Sequence, residues 1–241
     1  MVAQTSAGRT LLAGVRDTLP LMLGAAPFGA IFGALAVTGG LSPGAALGMS
    51  LFVYAGSSQF IAAGLIAESV SLGLIVLTTF VVNLRHALYG ASLGPHLKHL
   101  PQTWQLPLAF TLTDETFAVT ILRFTERGSR PDGHWYMLGS AAAMYINWQV
   151  WTAVGIIAGQ QFEDAASLGL DFAMVVTFIG IVVPLIATRP MLISALVAGS
   201  SAVLLNDLPN RTGLLVAALL GIAAGAAAEA LWPGEDAAAD E

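Results

Sequence analysis

The sequence predicts an all-α, polytopic transmembrane helix bundle, and three observations carry that prediction. Of 241 residues, 56% are hydrophobic and only 10% are charged, against about 25% charged in an average soluble domain. Mean hydropathy is +0.77. The apolar residues fall in eight continuous, Leu/Ala-rich runs. A helix needs roughly 20 such residues to cross a hydrocarbon core about 30 Å thick. A membrane β-barrel would instead show alternating segments of about 10 residues.

In chain order, residues 1–17 hold Arg9 and Arg16 and lack the apolar core of a signal peptide. They are expected to be a cytoplasmic segment ahead of a single transmembrane domain over 18–232. The first span, 18–38, contains Pro27. Proline removes one backbone hydrogen bond and predicts a kink. Broken helices at mid-depth expose backbone groups to substrate in many transporters, which makes Pro27 a candidate binding residue. Gly29 and Gly33 also form a small-xxx-small face suited to helix packing. The turn Gly39-Gly40-Leu41-Ser42-Pro43-Gly44 leads to the second span, 45–66. There Ala55-Gly56-Ser57-Ser58-Gln59-Phe60 loosens the backbone ladder and offers hydroxyl and amide groups. Ser57, Ser58 and Gln59 are therefore substrate-binding candidates, with ordinary interhelical bonding as the plainer reading.

The third span, 70–93, carries Asn83-Leu84-Arg85-His86 and ends at Gly94-Pro95. Asn83 and His86, three apart, share a helix face, and Arg85 points elsewhere. His86 suits a proton relay. The fourth span, 104–122, places Asp114 and Glu115 side by side near its midpoint. Each ionised carboxylate at a helix centre costs roughly 2.5–3.5 kcal/mol on insertion scales, so a partner or a proton is expected. Arg85 is within plausible reach of either. Asn83 and Arg85 join the substrate candidates; His86, Asp114 and Glu115 are candidates for proton coupling or an ion pair.

Arg130-Pro131-Asp132-Gly133 precedes the fifth span, 135–158, in which Asn147 and Gln149 are weaker polar signals. The sixth, 168–187, and the seventh, 190–206, meet at Thr188-Arg189-Pro190, so a count of seven is the alternative. The eighth is 212–232, and 233–241 form an acidic tail. With eight spans and a cytoplasmic N-terminus, Arg9, Arg16, Arg123, Arg127, Arg130 and Arg189 lie inside and Lys98 and Arg211 outside. That bias fits the positive-inside rule and also places the C-terminus inside.

The net charge of −6 and the lack of a basic patch argue against nucleic-acid binding. Cysteine is absent, which removes thiol chemistry. No phosphate-binding Walker motif occurs. His96 and His99 are too few for a metal site. No metal and no cofactor are expected. An intramembrane hydrolase would need Ser57 or Ser58 to pair with His86, but no nucleophile elbow accompanies them.

Four motifs in this order and spacing resemble the AzlC family of branched-chain amino acid permease subunits. They are Pro27-Phe28-Gly29, Ala55-Gly56-Ser57-Ser58-Gln59-Phe60, Asn83-Leu84-Arg85-His86 and Leu112-Thr113-Asp114-Glu115-Thr116-Phe117. The match runs from about Arg16 to Gly159; the remainder fits by length and hydropathy alone. The resemblance implies a plasma-membrane secondary transporter, not an enzyme, that exports branched-chain or similar hydrophobic amino acids. It also implies a small, separately encoded AzlD-type membrane subunit as partner. Coupling to the proton gradient is the expected energy source. A passive channel for small solutes and, behind it, an intramembrane serine hydrolase are the rival functions.

Overall fold

The computed structural model describes residues 7–128, 131–161, 188–208 and 212–232, with isolated positions at 179, 183 and 186. Among these residues every regular element is a helix. The chain divides into two compact units, Met1–Ala67 with Val82–Leu170, and Glu68–Val81 with Asp171–Glu241.

The first unit is organised by two long helices, α1 (Ala7–Thr38) and α8 (Gly133–Gln161). With 32 and 29 residues they are roughly 48 and 43 Å long. Helix α1 begins eleven residues before the expected span and runs unbroken through Pro20 and Pro27. The two helices approach so closely that a Cβ at Gly33 or Gly155 would run into the other helix's backbone. Small residues permit this contact, which is how helices gain dispersion energy where lipid offers no hydrophobic contrast. Gly29 and Gly33 both face α8, so the packing reading of that motif holds.

Three of the expected spans are interrupted. Residues 45–66 form α2 (Pro43–Phe52) and α3 (Gly56–Ala67), separated by Val53, Tyr54 and Ala55. Residues 70–93 form α4 (Leu72–Asn83) and α5 (Arg85–Leu97), parted at Leu84. Residues 104–122 form α6 (Gln102–Phe110) and α7 (Asp114–Arg127), parted by Thr111, Leu112 and Thr113. At 10 and 12 residues, α2 and α3 measure about 15 and 18 Å, half a membrane each. Local chemistry explains the starts. Ser42 caps α2 by accepting from Ala45 N at 3.2 Å, with Pro43 following. Thr113 caps α7 by accepting from Thr116 N at 3.4 Å.

The second unit contains the start of α4 together with α9 (Arg189–Leu204) and α10 (Thr212–Leu231), which pack as a hairpin. Thr188 caps α9 and Pro190 sits in its first turn, so a new helix begins at the doubtful sixth–seventh boundary. The expected sixth span, 168–187, lies outside the described residues apart from isolated positions.

Among the described residues, four stretches are long and apolar enough to cross a membrane: Ala7–Thr38, Leu72–Leu97, Gly133–Gln161 and Thr212–Leu231. Burial supports a lipid environment. Leu23, Phe52, Leu72 and Val203 are exposed, whereas Thr18, Ser50, Ser58, Gln59, Thr116, Ser140 and Thr152 are fully buried. The exposed large apolar side chains form a surface that lipid can cover, while the interior mixes apolar residues such as Phe32 and Leu93 with hydrogen-bonded small polar groups.

Candidate functional site

The interruptions in the second, third and fourth spans meet at one cluster. Arg85 is the first residue of α5 and Asp114 the first of α7. Arg85 Nη1 lies 2.8 Å from Asp114 Oδ2. Arg85 Nη2 donates to Ser57 Oγ, in the first turn of α3, at 2.7 Å. One guanidinium thus ties together the N-termini of α3 and α7 at the start of α5, where Leu84 keeps helical dihedrals. Each helix N-terminus carries about half a positive charge. With Arg85 added, the cluster is electropositive apart from its two carboxylates, and suits an anionic group.

Asp114 and Glu115 are not mid-helix. Both lie in the first turn of α7, where unpaired backbone N–H groups and the helix dipole favour negative charge. That corrects the mid-helix placement drawn from hydropathy, and it relieves much of the insertion cost argued from it. Tyr89, one turn beyond Arg85, donates its hydroxyl to Asp114 Oδ1. The Tyr89 ring stacks on Phe117 at 4.4 Å between centroids. Ser58 Oγ donates to Asn83 Oδ1 at 2.6 Å, and His86 Nδ1 lies 3.1 Å from the Asn83 carbonyl oxygen. Ser57, Ser58, Asn83, Arg85, His86, Asp114 and Glu115 therefore share one neighbourhood.

Two candidates lie elsewhere. Pro27 is exposed on α1 and opens no break there. Gln59 is fully buried in a different network. Its Nε2 donates to Ser50 Oγ at 2.9 Å, and its Oε1 accepts from Trp148 Nε1 at 3.2 Å. Ser50 also bonds Thr152 at 2.9 Å, which fastens α2 and α3 to α8. Gln149 and Asn147 bond the carbonyls of Ser50 and Met22. These amides hold helices together.

The hydrolase dyad is not assembled: Ser57 is bonded to Arg85, Ser58 to Asn83, and the bond recorded for His86 is to the Asn83 backbone. Among the described residues no group of three or more His, Asp and Glu side chains could hold a metal ion. Sequence reasoning missed Tyr89, which had a signal, its i,i+4 relation to Arg85.

A family profile described as AzlC protein matches residues 20–162. The chain belongs to the AzlC family. It is 31% identical over 234 residues to the inner membrane protein YgaZ of Escherichia coli, covering 93% of each chain. It is 35% identical over 164 residues to a membrane protein of Helicobacter pylori, covering 67% of this chain and 69% of that one. The branched-chain amino acid transport protein AzlC of Bacillus subtilis is 27% identical over 162 residues, which cover 67% of this chain and 62% of that one. No solved structure matches significantly. This chain is thus a helical membrane protein of the AzlC family, and the matched region contains the whole Arg85–Asp114 cluster.

Proposed function

We propose that the chain is the large subunit of a secondary transporter that exports branched-chain or similar hydrophobic amino acids across the plasma membrane. The observation that carries this reading is the meeting of three interrupted helices at one ion pair. Half-helix N-termini recognise anionic substrate groups such as carboxylates in many transporters, which supports this reading. The name of the Bacillus subtilis relative supports the substrate class.

In this reading the substrate carboxylate takes Arg85 from Asp114, with Ser57 Oγ as a further hydrogen-bonding group. The ammonium takes the carboxylates of Asp114 and Glu115. Without substrate, Arg85 and Asp114 satisfy one another, so neither of these two charges is left without a partner. A proton arriving at a carboxylate weakens its hold on the ammonium, which provides a basis for exchanging protons for substrate. His86, beside Asn83, is the proposed relay toward that carboxylate. Arg85 is the residue on which both halves of the cycle turn. The partner in this proposal is a small AzlD-type membrane subunit, and both termini face the cytoplasm.

Efflux from dipeptide-loaded cells tests the proposal. Intracellular leucine and valine should fall faster in cells expressing the chain with its small partner, and an uncoupler should abolish the difference. Uncoupler-resistant efflux down the gradient would favour a passive channel. No dependence on the chain would remove the transport reading.

A further inference from the structure

Tyr54 is the residue whose surroundings are least explained by folding alone. It lies in the break between α2 and α3 with φ of 44°, a left-handed conformation that a bulky side chain rarely adopts. It is only 4% exposed. Its hydroxyl is buried and has no hydrogen-bond partner among the described residues. The ring is held edge-on against Tyr145 at 4.7 Å, and Tyr145 is itself fixed by a 2.9 Å bond to the Leu51 carbonyl. A strained backbone, a braced ring and an unspent donor in one residue mark a group kept ready for something outside the protein.

The neighbours indicate what that is. Tyr54 stands three residues before Ser57, which Arg85 Nη2 holds at 2.7 Å, and Glu115 follows Asp114, which Arg85 Nη1 holds at 2.8 Å. Arg85 Nε is also buried without a partner among the described residues. Two unspent donors, the Tyr54 hydroxyl and Arg85 Nε–H, thus belong to the same cluster as Glu115, a carboxylate that forms no ion pair among the described residues. Asp114 is already occupied by Arg85 Nη1 and Tyr89. An α-amino acid is complementary to this set: its carboxylate accepts from the two donors, and its ammonium faces Glu115.

We propose that Tyr54 is a substrate-contacting residue whose hydroxyl donates a hydrogen bond to the carboxylate of the transported amino acid. The inference rests on the amino acid transport reading and assigns a contact within it. The strained break carries the hydroxyl into a site that a continuous helix over 45–66 would not present in the same way. Glu115 then holds the ammonium, with Asp114 beside it once Arg85 turns to the substrate carboxylate.

The test is leucine uptake into everted membrane vesicles containing the full-length chain and its small partner. Tyr54→Phe keeps the ring and removes only the hydroxyl. The proposal predicts a leucine KM raised about tenfold, the factor that a hydrogen bond to a charged group commands, with Vmax within about twofold. Inhibition by leucinamide, which lacks the carboxylate, should change far less. An unchanged leucine KM, or an equal loss for leucinamide, overturns the proposal. If Tyr54→Phe does not accumulate in the membrane, Tyr54→Cys decides. The natural chain has no cysteine, so this thiol is the only one in the chain. Leucine should protect it from a small thiol reagent, and absence of protection overturns the proposal. Wild-type vesicles separate the two ideas: no chain-dependent leucine uptake would sink the transport reading, whereas uptake with an unaffected Tyr54→Phe would sink only this contact.

Discussion

Neutralising Asp114 alone should harm the protein more than neutralising Asp114 and Arg85 together. In the folded chain the guanidinium and the carboxylate are 2.8 Å apart, with side chains 29% and 45% exposed. An exposed pair contributes about 0–1 kcal/mol, and breaking a fully buried one costs about 3–5 kcal/mol. With this intermediate exposure, Asp114→Asn should cost about 1–3 kcal/mol. It strands the Arg85 charge but keeps an oxygen to accept from Tyr89. Replacing both, as Arg85→Gln with Asp114→Asn, removes the stranded charge and should recover most of that loss. Unfolding in mild detergent, followed by tryptophan fluorescence, gives the stabilities and a coupling energy of about 1–3 kcal/mol. Transport should separate from stability. Both variants lack a charge the substrate needs, so both should lose at least about tenfold in transport rate. A double variant that regained stability and also transported at the wild-type rate would refute the functional reading and make the pair a packing device.

Other substitutions probe the surroundings. Tyr89→Phe keeps the stack on Phe117 and loses the bond to Asp114, so transport should fall about fivefold with little change in expression, measured in the same efflux assay. Gln59→Leu takes one hydrogen bond each from Ser50 and Trp148, which keep their 3.2 Å bond to one another. It should lower stability by about 1–3 kcal/mol while leaving the leucine KM of the surviving protein unchanged. Gly155→Leu forces a side chain into the α1 backbone and should abolish the folded first unit, read as loss of the unfolding transition.

Hydropathy located the outer limits of most helices because punctuation marks them: the Gly39–Gly40 turn, Ser42 ahead of Pro43, and Thr188 ahead of Pro190. It missed the interruptions because a hydropathy window counts apolar residues and is blind to backbone continuity. Val53-Tyr54-Ala55 contains no glycine or proline, and Leu84 keeps helical dihedrals at its break. The α7 start was legible in principle, since Thr113 followed by Asp114 and Glu115 is an N-cap with acidic first-turn residues. The contact between Arg85 and Asp114 was within the reach expected from sequence, because two opposite charges in apolar spans have few other partners to find. Gln59 shows the converse. A buried amide looks the same in sequence whether it binds a ligand or ties helices together, and only its neighbours Ser50 and Trp148 distinguish the two.

The central claim is that the meeting point of the three interrupted helices binds an amino acid through Arg85. Equilibrium binding of radiolabelled leucine to the purified full-length chain tests it most directly, with wild type compared with Arg85→Gln in the Asp114→Asn background chosen for its recovered stability. The account predicts saturable binding to the wild type and at least about tenfold weaker binding to the folded double variant. Equal affinity in the two proteins would contradict it.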